Sequence, residues 1–399
     1  MSHAALLIPT IDRIGGAERQ VLLLAAGLRR RGWEVTVVAL AGTGGDAAKT
    51  LERDGIGYVT LEMRKGLADA RGWLRLLAWL RRHQPEILHA HLPHAAWMAR
   101  AARLAVHLPV VVDTIHSASS GGWLRRFGYR LSRSLPDRVI AVSNAAAEAH
   151  VRAGMVDPER LTVVHNGVDV GARRSDALNR ERLRYELGLG SEFVWLAAGR
   201  LEPVKDYPTM LRAFGRVAAP ARLVIAGAGH QQQELELLAK RSGISKRVRF
   251  IGFVADIKPW MQAADGFILT SRWEGLPMAA LEAGACELPT VATRVPGTCE
   301  AILDCVTGLL AEPGDYAGLA EAMTCVMAMP YEERRRTGAC ARRRVVELFN
   351  LEIGLDRHEA LYRKLLAAKT RRASKARARA AEATRSDQVL PKNDASFSV

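Results

Sequence analysis

The chain has 399 residues, a length typical of two domains, and 49% of them are hydrophobic, as in a folded globular protein. Five cysteines without a Cys-x-x-Cys pair match neither a disulfide framework nor a zinc site, and no apolar run is long enough to cross a bilayer. The net charge of +15 predicts an anionic partner: nucleic acid, a phosphorylated substrate or an anionic membrane surface. The N-terminal stretch lacks the basic start and apolar core of a signal peptide, so we expect a cytoplasmic protein.

The first half of the chain alternates short apolar runs with helical patterns. Strands are predicted at 4–10, 34–40, 57–63, 86–91, 109–116 and 138–143, and helices at 15–32, 72–84 and 94–105. Alternation at this spacing predicts a parallel sheet with helices on both faces.

The second half repeats the scheme after a polar, glycine-containing hinge around residues 168–190. Strands are predicted at 193–199, 221–227, 247–253, 266–271 and 288–294, and helices at 206–218, 230–243 and 277–286. The chain is therefore predicted to be an α/β protein of two doubly wound, Rossmann-like parallel-sheet domains, residues 1–172 and 173–349, facing each other across a cleft. A helix over 350–369 is expected to pack back on the first domain. The basic tail, 370–399, has few large apolar groups and is predicted to be disordered or a marginal helix.

Ligands of such sheets bind where strands end and helices begin, and three junctions carry suitable residues. After the first strand, Gly15 and Gly16 open a helix whose free amides suit an anion. Arg200 ends a predicted strand, and Lys205 follows just before a helix, so the two cations are placed to clamp a diphosphate. In isolation, two glycines before a helix are more often just a tight turn, and two solvated surface cations explain the Arg200 and Lys205 pattern equally well.

The third junction is "SRWEGLPMAALEAGA", residues 271–285. Glu274 is predicted on a loop and Glu282 inside the following helix, which begins at Pro277. Eight residues of helix separate the two carboxylates by roughly 10 Å, too far to share a proton. The spacing instead suits two acids that bind different hydroxyl groups of one extended ligand, with amides between them for phosphate. A nucleotide sugar has its groups in that order.

The chain resembles the retaining glycosyltransferases of family 4, which have the GT-B fold. The resemblance covers residues 5–365 and rests on these motifs: "GGAERQ", "VSNAAAEAHV", "VVHNGVD", "AAGRLEPVKDYPTMLRAF", "LVIAGAGHQQQELELLAK", "VRFIGFV", "SRWEGLPMAALEAGACELPTVATRVPGTCEAI" and "GLLAEPGD". The strongest is the Glu-x7-Glu pattern after a strand, which carries little weight outside this context.

The resemblance implies a role for each matching residue. Arg200 and Lys205 would bind the donor diphosphate, Glu282 the ribose and Glu274 the transferred sugar. The backbone amides of the loop formed by Gly275, Leu276, Pro277 and Met278 would hold phosphate or sugar oxygens. Gly252 and Val254 would lie near the base. Gly16 would lie near the diphosphate, and His116 would face the sugar and its phosphate. Pro277 has no amide proton and contributes only its backbone shape.

Three histidines of the first domain, His89, His91 and His94, are candidates for the acceptor side together with His116. Without acidic or cysteine companions they do not predict a metal site. The alternative for His116 is a buried histidine at a strand end that contacts no ligand.

Arginines are mixed with Trp, Phe and Leu over 28–32, 72–83 and 121–138 of the first domain. Such segments suit an anionic membrane surface, and a solvated arginine face over a buried apolar stripe explains them equally well. No nucleic-acid-binding module is recognisable, so no nucleic-acid partner is expected.

The resemblance thus implies a retaining glycosyltransferase of the hexosyltransferase class. Its donor would be a nucleoside-diphosphate sugar, with UDP favoured over GDP and a GDP-sugar left open, and its acceptor a glycan of the cell envelope, lipid-linked or free. Because no Asp-x-Asp motif occurs, we expect neither a metal nor another cofactor. Two alternatives stay open: a GT-B sugar-nucleotide epimerase or hydrolase, and a non-catalytic subunit that binds sugar nucleotides.

Overall fold

The computed structural model describes residues 1–12, 14–64, 69–171, 177–218 and 220–387. It contains two parallel sheets, the first with seven strands in the order β3-β2-β1-β4-β5-β6-β7 and the second with six in the order β10-β9-β8-β11-β12-β13. The predicted pair of doubly wound α/β domains is confirmed.

The strands of the first sheet are β1 His3–Ile8, β2 Glu34–Ala39, β3 Gly57–Thr60, β4 Ile87–His91, β5 Val110–Ile115, β6 Arg138–Ala141 and β7 Leu161–Val163. Those of the second are β8 Phe193–Ala198, β9 Ala221–Ala226, β10 Val248–Gly252, β11 Gly266–Leu269, β12 Thr290–Thr293 and β13 Gly308–Ala311. The strand predictions omitted only β7 and β13, which are edge strands of three and four residues and too short for a periodic signal.

The helices of the first domain are α1 Gly16–Arg30, α2 Gly45–Arg53, α3 Ala70–His83, α4 Pro93–Ala105, α5 Trp123–Leu131 and α6 Asn144–Arg152. Those that follow are α7 Ala177–Glu186, α8 Tyr207–Arg216, α9 Gln232–Arg241, α10 Lys258–Ala263, α11 Met278–Ala285, α12 Pro296–Ala301, α13 Tyr316–Ala328, α14 Tyr331–Leu348 and α15 Leu351–Asp387. Within the described ranges, no helix is both long and apolar enough to span a membrane.

Both faces of each sheet are buried, which explains the nearly continuous apolar strands. In the first domain, all six side chains of β1 and of β5 are buried. One apolar cluster lies between the sheet and α3 and α4, and another lies between the sheet and α1 and α15. Because the strands are parallel, their carboxyl ends share one edge of each sheet, and these edges hold the loops that meet at the cleft.

The last helix, α15, packs on the first domain. Leu355 lies so close to Gly27 of α1 that a β-carbon on Gly27 would be 2.4 Å from the Leu355 side chain. The Trp33 indole donates a hydrogen bond to Glu359 at 2.9 Å. Tyr362 is fully buried, and the Lys369 ammonium lies 2.8 Å from Asp137. The helix that closes the chain therefore belongs structurally to the first domain.

Of the two alternatives for the tail, disordered or marginally helical, the structure has a helix as far as Asp387, because α15 continues past residue 369. A helix that is already nucleated and anchored extends at little cost through a segment rich in Ala, Arg and Lys, which are good helix formers. Residues 388–399 lie outside the described part of the chain.

Candidate active site

The loop between β11 and α11 carries the first half of the site. Pro277 precedes α11 and has no side-chain oxygen to cap it, while its carbonyl accepts from the amides of Ala280 and Leu281 at 3.0 and 3.1 Å. The amides of the residues before Ala280 are not used in the helix ladder, so they point toward the helix N-terminus. This end of α11 is a suitable place for the phosphate or hydroxyl oxygens of a ligand.

Glu274 of the same loop makes an ion pair with Lys205. Its Oε1 atom lies 2.5 Å from Lys205 Nζ and accepts from the Ser271 hydroxyl at 2.6 Å, and both carboxylate and ammonium are largely buried. The Thr270 hydroxyl donates to the Lys205 carbonyl at 2.8 Å, which ties the two loops together. The structure thus brings two of the predicted residues, from distant parts of the sequence, into direct contact.

Glu282 lies one turn inside α11 and meets the other domain. Arg19 Nη1, from the first turn of α1, lies 2.9 Å from Glu282 Oε1, and the glutamate side chain is 19% exposed. Burial raises the pKa of the Glu282 carboxyl above its ordinary value, and the charge of Arg19 opposes that shift. Each predicted glutamate therefore pairs with its own cation, and the two carboxylates do not pair with each other.

The two domains are in contact at the glycines of the site. A β-carbon on Gly16 would lie 3.5 Å from the Met278 side chain, and one on Gly275 would lie 2.4 Å from the backbone carbonyl oxygen of His116. The N-termini of α1 and α11 thus face each other across a narrow gap. Only glycine fits at residue 275, because any side chain would collide with the backbone of the first domain.

The His116 ring points toward its own domain. His91 Nδ1 lies 3.1 Å from His116 Nε2, and both rings line a small cavity together with His358 of α15. Burial, with the nearby His358, lowers the pKa of His116 to about 3, so the ring is neutral at physiological pH. His116 Nδ1 is buried without a hydrogen-bond partner in the described structure.

The acceptor-side assignments need correction. His89 is fully buried, where its ring nitrogens lie 2.5 Å from the Tyr362 hydroxyl and 2.6 Å from the Thr114 hydroxyl, so it is part of the core. His91 is 2% exposed and contacts His116, which makes it a support for that ring rather than a direct contact for an acceptor. His94 is half-buried in the first turn of α4 and remains at the surface of the domain.

The remaining predicted donor residues lie at the ends of β8 and β10. Arg200 is exposed and lines a groove with Glu202, Val204, Arg272 and Trp273. Gly252 has the left-handed φ of +68°, and its carbonyl accepts from the Gly227 amide at 2.7 Å. Val254 follows in the loop after β10 and is partly buried.

A second interdomain contact was absent from the sequence prediction. Glu300 of α12 accepts hydrogen bonds from the Asn144 amide and the Ala145 amide at 2.9 and 3.3 Å, and its Oε1 lies 2.6 Å from His165 Nε2. The second domain thus supplies a carboxylate to the N-terminus of α6, where anions are stabilised.

Sequence reasoning also missed Arg19, Ser271 and His358. Arg19 lies in the quoted "GGAERQ" motif, three residues after Gly16, so its place in the first turn of α1 was available as a signal. Ser271 begins the quoted Glu-x7-Glu segment. His358 has no local signal, because only the packing of α15 brings it to the ring of His116.

Comparisons with known proteins match both halves of the chain to glycosyltransferase families. Residues 14–172 match the model described as Glycosyltransferase Family 4, and residues 179–344 match Glycosyl transferases group 1. The chain is similar to the Escherichia coli UDP-Gal:alpha-D-GlcNAc-diphosphoundecaprenol alpha-1,3-galactosyltransferase, with 26% identity over 74% of this chain and 80% of that protein.

Two further similarities cover most of the chain. The Bacillus anthracis N-acetyl-alpha-D-glucosaminyl L-malate synthase is 30% identical over 70% of this chain and 75% of that protein. The crystal structure of HepE of Anabaena in complex with UDP-glucose superposes with a TM-score of 0.80 and 25% identity, covering 90% of this chain and 99% of that one. The two facing α/β domains are thus shared over nearly the whole of that solved structure.

Proposed function

The chain belongs to the group 1, family 4 glycosyltransferases with the GT-B fold, and from this premise we propose that it transfers a hexose from a UDP-sugar to a cell-envelope glycan with retention of configuration and without a metal ion. The observation that carries the proposal is the pairing of Lys205 with Glu274 beside the open N-terminus of α11, opposite Gly16 and Arg19 of the other domain. UDP rather than GDP is supported by the name of the Escherichia coli relative and by the HepE complex, both of which specify UDP.

In the proposed donor complex, the diphosphate lies between the N-termini of α11 and α1. Lys205 contributes a positive charge while it remains bonded to Glu274, since an ammonium has three donors. Arg200 approaches the diphosphate from the end of β8. Glu282 accepts hydrogen bonds from the ribose hydroxyls once Arg19 releases its carboxylate. Gly252 and Val254 border the base. Glu274 accepts a hydrogen bond from a hydroxyl of the transferred sugar through Oε2. The bonds to Lys205 and Ser271 described above both use the other oxygen, Oε1.

Transfer breaks the bond between the anomeric carbon and the diphosphate, whose oxygen gains negative charge. Fixed amides and cations placed before the reaction stabilise that charge in a site from which water is excluded. These groups take the part that a divalent cation plays in other phosphate chemistry. We propose that a hydroxyl of the acceptor attacks the anomeric carbon on the same face as the departing phosphate. The departing phosphate takes the proton of that hydroxyl. We propose that Glu274 positions the sugar and forms no covalent bond with it, with Oε1 held by Lys205 and Ser271 and Oε2 hydrogen-bonded to a sugar hydroxyl.

The acceptor is proposed to bind the first domain, on the other side of the gap from the donor. His94 at the surface of α4 and the loop after His116 border that side. A lipid-linked glycan is favoured by the diphosphoundecaprenol acceptor in the name of the Escherichia coli relative and by the basic first domain. We place the enzyme at the inner face of the cell membrane, as a peripheral protein.

Turnover with a panel of UDP- and GDP-sugars tests the proposal. The expected result is release of UDP that requires an added acceptor extract and persists in excess chelator. UDP release at full rate without acceptor would instead identify a hydrolase or epimerase. UDP-sugar binding with no product in any extract would identify a non-catalytic subunit, and abolition by chelator would overturn metal independence.

A further inference from the structure

Helix α5 of the first domain exposes a cluster of large apolar side chains. Trp123, Leu124, Phe127 and Leu131 are 69, 62, 62 and 77% exposed. Within the described ranges, no other helix carries more than two exposed large hydrophobic residues. Single exposed hydrophobic residues are normal on soluble proteins, but a contiguous patch usually marks a binding surface.

The four side chains lie on one face of the helix. At about 100° per residue, they cover an arc of about 100°. Arg126 and Arg130 lie within about 60° of Trp123 on one side of that arc, and both are exposed. The helix thus has an apolar face bordered by a basic one, which is the arrangement of helices that lie in the plane of an anionic bilayer.

The opposite face of α5 is firmly held, so the apolar face cannot turn inward. Tyr129 is 4% exposed, and the Arg100 guanidinium lies 4.4 Å from the centre of its ring. Arg100 in turn makes an ion pair of 2.6 Å with Asp113, and both side chains are 1% exposed. A β-carbon on Gly128 would lie 3.2 Å from the Trp97 ring, which leaves little freedom for rotation of the helix.

The position of α5 relates this surface to the candidate active site. The loop that leads into the helix begins at Ser117, which with His116 contacts Gly275 across the cleft. Trp123 follows Ser117 by six residues, so the start of the apolar face lies within about 20 Å of the gap between the domains. A molecule whose apolar part is held at this face can therefore present a polar group to the cleft.

We propose that the exposed face of α5, formed by Trp123, Leu124, Phe127 and Leu131 with Arg126 and Arg130, inserts into the headgroup region of an anionic bilayer. This inference deepens the proposed peripheral location and rests on it. A second copy of the chain is a weaker occupant, because symmetric contact would bring arginines of two strongly basic molecules together.

Co-sedimentation with vesicles tests the proposal in the absence of donor and acceptor. The full chain is expected to bind vesicles containing phosphatidylglycerol at least tenfold more tightly than vesicles of phosphatidylcholine alone. Replacing the four apolar residues by Ser should reduce binding to the anionic vesicles at least tenfold. The pair Arg126→Glu and Arg130→Glu should weaken the preference for them.

Helix α9 of the second domain provides matched controls. It exposes Leu237, Lys240 and Arg241, so the pair Lys240→Glu and Arg241→Glu matches the arginine pair, and Leu237→Ser matches the single replacement Leu124→Ser. Both α9 changes lie far from α5 and should leave binding unchanged. Equal losses in the α9 and α5 variants would show a non-specific charge effect and overturn the proposal. Unchanged vesicle binding in the apolar α5 variant would do so as well.

Two further readouts keep the result interpretable. Brominated lipids should quench the fluorescence of the wild type more than that of Trp123→Phe, since only a residue inserted in the bilayer is quenched. Light scattering without lipid should show no α5-dependent dimer, and a dimer lost in the apolar variant would assign the face to a second copy. Transfer to a short, soluble acceptor should be retained in all α5 variants, so failure of membrane binding and failure of the proposed catalysis give different results.

Discussion

Arg19 of the first domain and Glu282 of the second form an ion pair across the cleft, with 2.9 Å between Nη1 and Oε1. If Glu282 binds the donor ribose through both carboxylate oxygens, this pair opens when the donor enters. The same guanidinium that closes the cleft also lowers the pKa of the glutamate that burial has raised.

The first prediction concerns the pH dependence of nucleotide binding. A carboxylate accepts two hydroxyl hydrogen bonds, so UDP affinity should rise with pH as Glu282 loses its proton. Removing Arg19 in Arg19→Ala takes away the charge that opposes the raised pKa, so the whole binding curve should move to higher pH, whereas Arg19→Lys should stay close to the wild type. Calorimetric titration of UDP between about pH 5 and pH 8 measures the affinity at each pH. Coincident curves for Arg19→Ala and Arg19→Lys would contradict the prediction.

The second prediction concerns the strength of the donor contacts. Lys205→Ala and Glu282→Ala should each reduce donor affinity or rate by tenfold or more, equivalent to about 1.4 kcal/mol. Lys205→Ala removes the cation that binds the diphosphate and leaves Glu274 buried without its partner. Glu282→Ala removes the carboxylate that accepts hydrogen bonds from the ribose hydroxyls. Steady-state kinetics with a UDP-sugar measures both. Lys240→Ala, an exposed lysine in α9, is the control, and unchanged kinetics in either site variant would refute the assignment.

The third prediction separates the transferred sugar from the nucleotide. Glu274→Ala should reduce transfer strongly while UDP binding changes much less, because Glu274 is assigned to the sugar and UDP lacks it. Comparison of kcat with the Kd of free UDP provides the test, and Ser271→Ala, which removes only one bond to Glu274, should have a smaller effect. Equal losses in transfer and in UDP binding would count against a role at the sugar.

The fourth prediction concerns the second interdomain contact. Burial alone would raise the pKa of Glu300, but hydrogen bonds from His165 and from the amides of Asn144 and Ala145 outweigh it and lower the pKa. An acid whose pKa is lower in the folded state stabilises that state at neutral pH, and this contribution is lost as the pH falls through the folded pKa.

Glu300→Gln should therefore lower the free energy of unfolding at neutral pH by roughly 1.5–3 kcal/mol, the usual range for hydrogen bonds to a charged group. The difference from the wild type should shrink as the pH falls below the ordinary Glu value of 4.5. Thermal unfolding at several pH values measures it. A difference in Tm that is the same at all pH values would show that the charge of Glu300 is not the cause.

The fifth prediction concerns the C-terminal extension. A chain that ends after Lys369 keeps the contacts of α15 with α1 and with Asp137, so folding and transfer to a soluble acceptor should equal those of the full chain. Circular dichroism and acceptor-dependent UDP release are the measurements. A chain that ends after residue 350, which lacks Leu355 and Tyr362, is expected to lose stability. Failure of the longer truncation product to fold would mean that residues 370–399 are structural.

The elements of the sheets were predictable because each depends on a local pattern. Apolar runs of Ala, Leu, Val and Ile identify β1, β2, β5 and β9, and the Pro before α11 marks its start. The extension of α15 to Asp387 was not, because helix propagation depends on the anchoring of residues 351–369 on the first domain, which their own sequence does not show.

By itself, the sequence determined the two parallel-sheet domains, the family, and the strand ends at which the site residues lie. Local periodicity and the order of strands and helices suffice for that, since they set which loops share an edge of a sheet. Only the tertiary structure decided which cation meets which carboxylate, that His89 belongs to the core, and that α5 turns its apolar face outward. Those relationships join residues far apart in the chain, and their distances depend on how helices and domains pack together.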